Sequence, residues 1–328
     1  MKKRTNHYFL TIISFILFTL VSCGGNNPVD CRRPDRLEDV DLQAAYDYFV
    51  GISRIPRCSR EEKAASYYLA GFAKAHGAEI VHQDNIHNLL VRKPGSKGRE
   101  NEPPIILQAH IDMICEKDSG WVHDFQYDPI IPIIAEGGWV RASGRTTLGA
   151  DNGSGVAMIM AVLASKNYSH PPIEALFTVW EEIGLLGAFL FDVSQLTADR
   201  LINLDSVREK MLIAGSTRDG GDDTAIPMLP EALAKIASLP DWHFREESPL
   251  RDTMVEVFRK VYGEEPVIAR INNNKAGVEP IAFADRMPHL DMISIGPDIL
   301  DIHTPDERMS LSSFYRVYNY LIKVLEAL

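Results

Sequence analysis

The sequence predicts an α/β fold: a mixed, mostly parallel sheet sandwiched by helices. Short runs rich in Ile, Leu and Val recur along the chain, and most are continuously apolar, the pattern of strands covered on both faces. Stretches with helical spacing fall between them, and strands alternating with helices build a sheet with helical layers. With 328 residues and 45% hydrophobic content, the chain can bury one large core.

The first helix is predicted after Ser59-Arg60-Glu61-Glu62, which has the S-x-x-E form of a capping box. Ala65, Tyr68, Leu69 and Phe72 follow at helical spacing, and Gly77 is a natural stop. Strand-like runs come next at residues 78–82 and 88–92, ending at Pro94-Gly95. Four more strands are expected at 105–109, 175–180, 201–204 and 292–295. Helical stretches at 155–165, 184–191 and 249–262 lie between them.

The N-terminus reads as an address. Lys2, Lys3 and Arg4 precede an apolar run over residues 8–21. Its 14 residues fall short of the roughly 20 that span a bilayer and suit a signal h-region. The run ends in Leu20-Val21-Ser22-Cys23-Gly24-Gly25, which resembles the lipobox of bacterial lipoprotein signals, where the Cys becomes the lipidated first residue. This predicts a lipoprotein signal peptide over 1–22, lipidation at Cys23, a polar tether over 23–40 and a body over 41–328. The body would be held by lipid at the bacterial cell envelope, on its periplasmic or surface side, with no other membrane contact.

The formal net charge is −11; without residues 1–22 it is −14, from 31 basic and 45 acidic residues. A surface so negative repels phosphate, which argues against a nucleic-acid partner. The same excess of carboxylates is what a divalent-cation site needs. With Cys23 assigned to lipid, Cys31, Cys58 and Cys115 show no CxxC spacing, so neither a disulfide framework nor a cysteine zinc site is expected. Cys31 with Cys58 is the pairing an oxidising compartment would allow.

The informative pattern is where acids and histidines fall relative to the strands. The run 105–109 leads into His110-Ile111-Asp112, 175–180 into Glu181-Glu182, and 201–204 into Asp205. After 292–295 and a Gly-Pro turn comes Asp301-Ile302-His303. Ligands of open α/β sheets bind beyond the carboxyl ends of the strands, so these groups should converge on one edge. A Gly-rich turn, Leu148-Gly149-Ala150-Asp151-Asn152-Gly153-Ser154-Gly155, opens a small-residue helix and adds Asp151. Two divalent cations bring four positive charges. Asp151, Glu182 and Asp205 with neutral His110 and His303 leave one, which a bridging hydroxide would cancel. Oxygen and imidazole donors suit zinc, with cobalt or manganese as alternatives. Asp112 is placed to hold the other N–H of His110. Glu181, not needed as a ligand, is a candidate base.

These segments, with Ile302-His303-Thr304-Pro305-Asp306-Glu307, resemble the M20 co-catalytic zinc peptidases. Residues 87–95, 122–125 and 292–297 resemble the aminoacyl-histidine (cytosol non-specific) dipeptidases in particular. The likeness covers 42–216 and 241–328 and implies a zinc-exopeptidase-like catalytic domain binding two zinc ions. Asp151 would bridge them, His110 and Asp205 would complete one, and Glu182 and His303 the other. Asp112 would orient His110. Glu181 would take a proton from the metal-bridging water, which attacks the carbonyl of a dipeptide, and pass it to the leaving amine. The substrate would be an Xaa-His or non-specific dipeptide. Glu279 keeps the subgroup's pattern and would contact substrate, while Lys275 stands where the subgroup has His.

Relatives of this kind carry a large lid domain after the Asp205 position. Here a connection of 35 residues, 206–240, replaces it, below the roughly 40 that fold unaided. No full lid domain is therefore expected, and because the lid builds the family's dimer, a monomer is expected too. Two alternatives stay open: an N-acyl amino-acid hydrolase using the same site, and a lidless, non-catalytic metal-binding envelope protein. Glu181 speaks against the second, since a structural metal site has no use for a neighbouring base. Neither G-x-S-x-G nor S-x-x-K occurs, which disfavours a serine hydrolase.

Overall fold

In the computed structural model, which describes residues 39–217, 241–272 and 277–328, two helices open the body: α1 (Asp39–Ser53) and α2 (Lys63–Ala75). The latter follows the expected spacing and buries Ala65, Ser66, Leu69, Ala70 and Ala73. Its start is not the expected capping box. Ser59 Oγ donates to Asp112 Oδ2 at 2.8 Å, and Glu62 Oε1 accepts from the amides of Arg60 and Trp180. Both side chains of the S-x-x-E pair thus serve distant loops, and no side chain caps the helix.

The main sheet has eight strands. Their order is β1 (Glu79–Gln83), β2 (Leu89–Lys93), β6 (Ile173–Thr178), β3 (Ile105–His110), β7 (Arg200–Asn203), β10 (Asp291–Ser294), β8 (Met211–Thr217) and β9 (Val267–Asn272). The central strands β6, β3, β7 and β10 are parallel to one another and almost wholly buried, in keeping with their largely apolar sequences. On the flanks, β2 and β8 run antiparallel to their inner neighbours.

Helix α3 (Ala150–Ala164) packs between α1 and β3. Its small residues permit the close approach: a Cβ on Gly155 would meet the Leu204 carbonyl oxygen at 2.6 Å. Helix α4 (Leu186–Leu190) is short. Helix α5 (Pro249–Tyr262) matches its expected span, capped by Ser248 Oγ accepting from Arg251 N at 3.1 Å and ended by Gly263 at φ 72°. It packs on β10 and on the C-terminal helix α7 (Leu311–Ala327), while α6 (Pro280–Ala284) lies against α4.

A second, antiparallel sheet was not legible in the sequence. Its order is β11 (Ile299–Leu300), β12 (Arg308–Ser310), β5 (Trp139–Ala142) and β4 (Pro132–Ile134). Strands this short carry too little alternation to register as a pattern. They matter because β11 and β12 bracket the segment bearing His303 and Glu307.

The expected lid-replacing connection, 206–240, starts too early, because its residues 211–217 form strand β8 of the main sheet; residues 218–240 lie outside the described residues, as do the expected signal peptide, Cys23 and nearly all of the tether. The cysteine pairing is not the one the sequence left open. Cys58 is bonded to Cys115, with Cα atoms 5.7 Å apart, instead of to Cys31. A β-bridge between Cys58 and Met113, and the Met113 amide donating to the Arg57 carbonyl at 3.2 Å, lay those two segments side by side.

Candidate metal centre and active site

Strand ends supply most of the site. His110 closes β3, Asp205 lies just past β7, and Glu181 and Glu182 follow β6. His303 sits in the turn between β11 and β12, where Asp301 and His303 both adopt positive φ (53° and 62°). Asp151 opens α3 but is extended (φ −82°, ψ 109°), following Gly149 at φ 70°. A Cβ on Gly149 would meet Met113 Sδ at 2.5 Å and Arg57 Nη2 at 2.6 Å, so the turn has room for glycine alone.

These side chains converge. His110 Nε2 lies 3.2 Å from Asp151 Oδ1 and 3.3 Å from Asp205 Oδ1. His303 Nε2 lies 3.3 Å from Asp151 Oδ2 and 2.9 Å from Glu182 Oε2. Asp151 therefore offers one oxygen to each of two clusters. His110, Asp151 and Glu182 also present atoms within 4.8 Å of one another, so the clusters are contiguous.

The donor set fits divalent cations. Two ligands about 2.0–2.1 Å from one tetrahedral zinc are about 3.3 Å apart, close to most of these separations. Buried His303 Nε2 and Glu182 Oε1 have no hydrogen-bond partner, although His303 Nε2 stands at ion-pair distance from two carboxylates. A buried polar atom without a partner calls for an ion, a water or a catalytic role, and these two belong to one cluster of imidazole and carboxylates. The residues that could hold two ions are His110, Asp151 and Asp205 on one side, and His303, Asp151 and Glu182 on the other.

The electrostatics match. Burial pushes Asp205 up to about 8, reinforced by the Asp151 and Glu279 carboxylates and opposed by His110. Burial also pushes Glu181 well above the ordinary carboxylate range, with Glu182, Asp205 and Glu279 adding to it. For His303, burial works downward but Glu182 and Asp151 overcome it and hold the imidazole up at about 11. Burial would raise Asp151, yet His110 and His303 hold it below its usual range. Raised carboxyls beside raised imidazoles mark an excess of negative charge that a cation would relieve.

Asp112 is fully buried and acts as a hub: its carboxylate accepts from the amides of Glu181 (3.1 Å) and Glu182 (3.3 Å) and from Ser59 Oγ. His110 Nδ1 is held more closely by the Asp112 carbonyl, at 3.0 Å, than by its carboxylate, at 3.4 Å. Glu181 is buried, with its amide pinned to Asp112.

Glu279, expected to meet substrate, is fully buried. Its Oε2 accepts from Thr178 Oγ1 at 2.7 Å and from Gln108 Nε2, and Oε1 has no partner. Burial pushes it up to about 7, with His110 opposing. It ends a row of side chains across the four central strands: Ser294 donates to Asn203, Asn203 to Gln108, and Gln108 to Thr178 and Glu279. Gln108 and Asn203 each precede a site residue, His110 and Asp205, by two positions, so the row lies directly beneath the site.

Several supporting residues escaped sequence reasoning. Arg57, wholly buried, donates Nη1 to the Ile111 carbonyl at 2.7 Å and Nη2 to the Gly149 carbonyl at 2.6 Å. Glu307 accepts at Oε2 from the amides of Leu148 (2.7 Å) and Gly149 (2.8 Å), and at Oε1 from those of Ala150 (2.8 Å) and Asp151 (3.2 Å). Gln108 carried a local signal, a polar residue inside an apolar run. Arg57 carried none.

The sequence pattern of the family described as Peptidase family M20/M25/M40 matches residues 106–327. The cytosol non-specific dipeptidase of Escherichia coli (strain K12) is 46% identical over 187 residues, 57% of this chain and 38% of that protein. The chain thus spans under two fifths of the length of that curated relative. The crystal structure of aminoacylhistidine dipeptidase from Vibrio alginolyticus superposes with a TM-score of 0.76 at 22% identity, covering 91% of this chain and 98% of the other. Aminopeptidase PepT from Bacillus cereus gives 0.69 at 16% identity, covering 87% and 98%. Both share the mixed, largely parallel sheet flanked by helices. These comparisons correct the expected lipid-anchored envelope location, for the 46% identical relative is named for the cytosol. No helix among the described residues is long and apolar enough to cross a membrane. That expectation rested on a short segment around Cys23 outside the described residues, whereas the likeness rests on 187 aligned positions. On the match over residues 106–327, the chain belongs to the M20/M25/M40 peptidase family.

Proposed function

We propose that the protein is a metal-dependent dipeptidase working with two divalent ions, zinc first among them and cobalt or manganese as alternatives. One observation carries this reading: Asp151 divides its two carboxylate oxygens between His110 and His303, each cluster being completed by a further carboxylate. The E. coli relative's name supplies the substrate class. In this reading His110, Asp151, Asp205, Glu182 and His303 are the ligands. Bound there, the ions would lower the pKa of water to about 7 and polarise the peptide carbonyl.

The remaining chemistry belongs to the chain. Asp112, through its carbonyl, fixes the ring of His110 and leaves Nε2 facing Asp151. The amides of Glu181 and Glu182, anchored on one Asp112 carboxylate, are held in a fixed relation. Burial raises the affinity of Glu181 for a proton, which suits a carboxylate that takes one from water and gives it to the leaving amine nitrogen. The body acts as a monomer, with only a short connection after β8 in place of a lid.

The test is a panel of free dipeptides (Xaa-His included) and N-acetyl amino acids, assayed on the full chain with zinc or manganese. Cleavage of dipeptides that is abolished by a chelator supports the proposal. Cleavage of the N-acetyl compounds alone would replace it with the acylase alternative. Metal binding without any hydrolysis would leave a non-catalytic metal protein.

A further inference from the structure

We infer that Glu307 is a positioning residue for the candidate metal centre, acting through the backbone of Asp151; the inference rests on the metal-binding reading above. Four consecutive amides, Leu148 to Asp151, converge on its one carboxylate. No other side chain touches that many backbone groups of a site-bearing turn among the described residues.

The geometry gives those bonds a consequence. Asp151 must aim one oxygen at His110 and the other at His303, so a small rotation of its backbone would spoil both clusters together. The turn before it has little intrinsic order: Gly149 is in the left-handed region, and Asp151 and Asn152 are not helical despite lying at the start of α3. Glu307 supplies that order by taking all four amide hydrogens. From the opposite side Arg57 holds the Gly149 carbonyl, so the turn is gripped at its donors by an anion and at its acceptor by a cation.

Glu307 also ties Asp151 to its second imidazole. Its amide donates to the Thr304 carbonyl at 3.1 Å, folding residues 303–307 into a compact turn. One end of that turn brings His303 Nε2 to Asp151 Oδ2, and the other brings the Glu307 carboxylate to the Asp151 amide. A single pentapeptide therefore grips Asp151 by side chain and by backbone. Residues that orient metal ligands without touching the ion typically carry about 10–100-fold in metal affinity.

The test is Glu307→Gln in the full chain, read by titrating chelator-treated protein with Co2+ and following the visible absorbance of the bound ion. Gln keeps the volume but replaces one acceptor oxygen with an NH2 group facing two amide hydrogens. The expected result is that both Co2+ equivalents bind about 10–100-fold more weakly, while the metal-free variant still melts cooperatively, at a temperature lowered by the two amides that face the NH2 group. Unchanged affinity overturns the inference. So does weakening of only one equivalent, because the effect is argued to pass through the shared Asp151. If the variant does not fold, hydrogen exchange of the metal-free parent decides: amides 148–151 should be protected, and exchange as fast as an open loop overturns the inference. A parent that binds no Co2+ would defeat the metal reading instead, a separate outcome.

Discussion

Arg57 Nη2 stands 2.6 Å from the Gly149 carbonyl oxygen, placing a fully buried guanidinium directly behind the turn that carries Asp151. Burial lowers its pKa to about 10, with Glu307, Asp112, Asp151 and Glu182 opposing, so it remains a cation amid carboxylates at neutral pH. Arg57→Met should leave those carboxylates without their buried counter-charge. Urea denaturation should then register a loss of about 3–5 kcal/mol. Arg57→Lys should recover little, because one ammonium cannot reproduce a fork that reaches both Ile111 and Gly149. Full recovery by lysine would show that charge alone matters.

Glu181→Gln should separate chemistry from metal binding. Glu181 makes none of the close contacts that join His110, Asp151, Asp205, Glu182 and His303. Dipeptide turnover should fall by at least about 10²–10⁴-fold, the contribution of a general base, while Co2+ affinity stays within a few-fold of the parent. Equal losses in both would assign Glu181 to the ligands instead.

Without metal, stability should fall as pH rises. Asp205 is pushed up to about 8 and His303 up to about 11, each above its ordinary value of 3.8 and 6.5. The fold thus holds more protons than the unfolded chain between about pH 4 and 8 through Asp205, and between about 6.5 and 11 through His303. Both contributions are complete at the acid end and are lost toward the alkaline end. The urea midpoint of chelator-treated protein should decline from about pH 6 to about pH 9. Added zinc should restore most of it at the upper end, since the ligands bind metal in their deprotonated forms. A metal-free midpoint that climbs over this range would contradict the charge picture.

The Cys58–Cys115 bond closes a separation of 57 residues, for which chain entropy suggests a contribution of about 4 kcal/mol. Denaturation curves with and without reductant, and of Cys115→Ser, should differ from the oxidised parent by an amount of that order. Coincident curves would mean that the two segments are held by Arg57 and Met113 alone.

What the sequence disclosed depended on distance along the chain. His110, Glu181, Glu182 and Asp205 were legible because each directly follows an apolar strand, so topology alone assigns them to one edge of the sheet. The expected span of α5 held, and the residues that set its ends, Ser248, Pro249 and Gly263, act within a turn of them. Ser59 was misread for the opposite reason. Its S-x-x-E spacing satisfies a local rule, yet its hydroxyl serves Asp112, 53 positions away. Arg57 reaches Gly149 across 92 positions and Glu307 reaches Leu148 across 159, partnerships that no local pattern encodes. Glu279 was identifiable as a residue of interest, but its complete burial follows from how α6 meets the sheet, which only the folded chain reveals.

The row from Ser294 through Asn203 and Gln108 to Glu279 has a polarity: every hydrogen in it points toward the carboxylate. The two amide groups consequently have only one usable orientation, since turning Asn203 around would set its oxygen against Gln108 Oε1, and turning Gln108 around would set its oxygen against the Glu279 carboxylate. Sliding β3 past β7 by even one residue would swing half the row to the opposite side of the pleat. The central strands are thereby keyed to one another like teeth on a ratchet, and the spacing between His110 and Asp205 is inherited from that key.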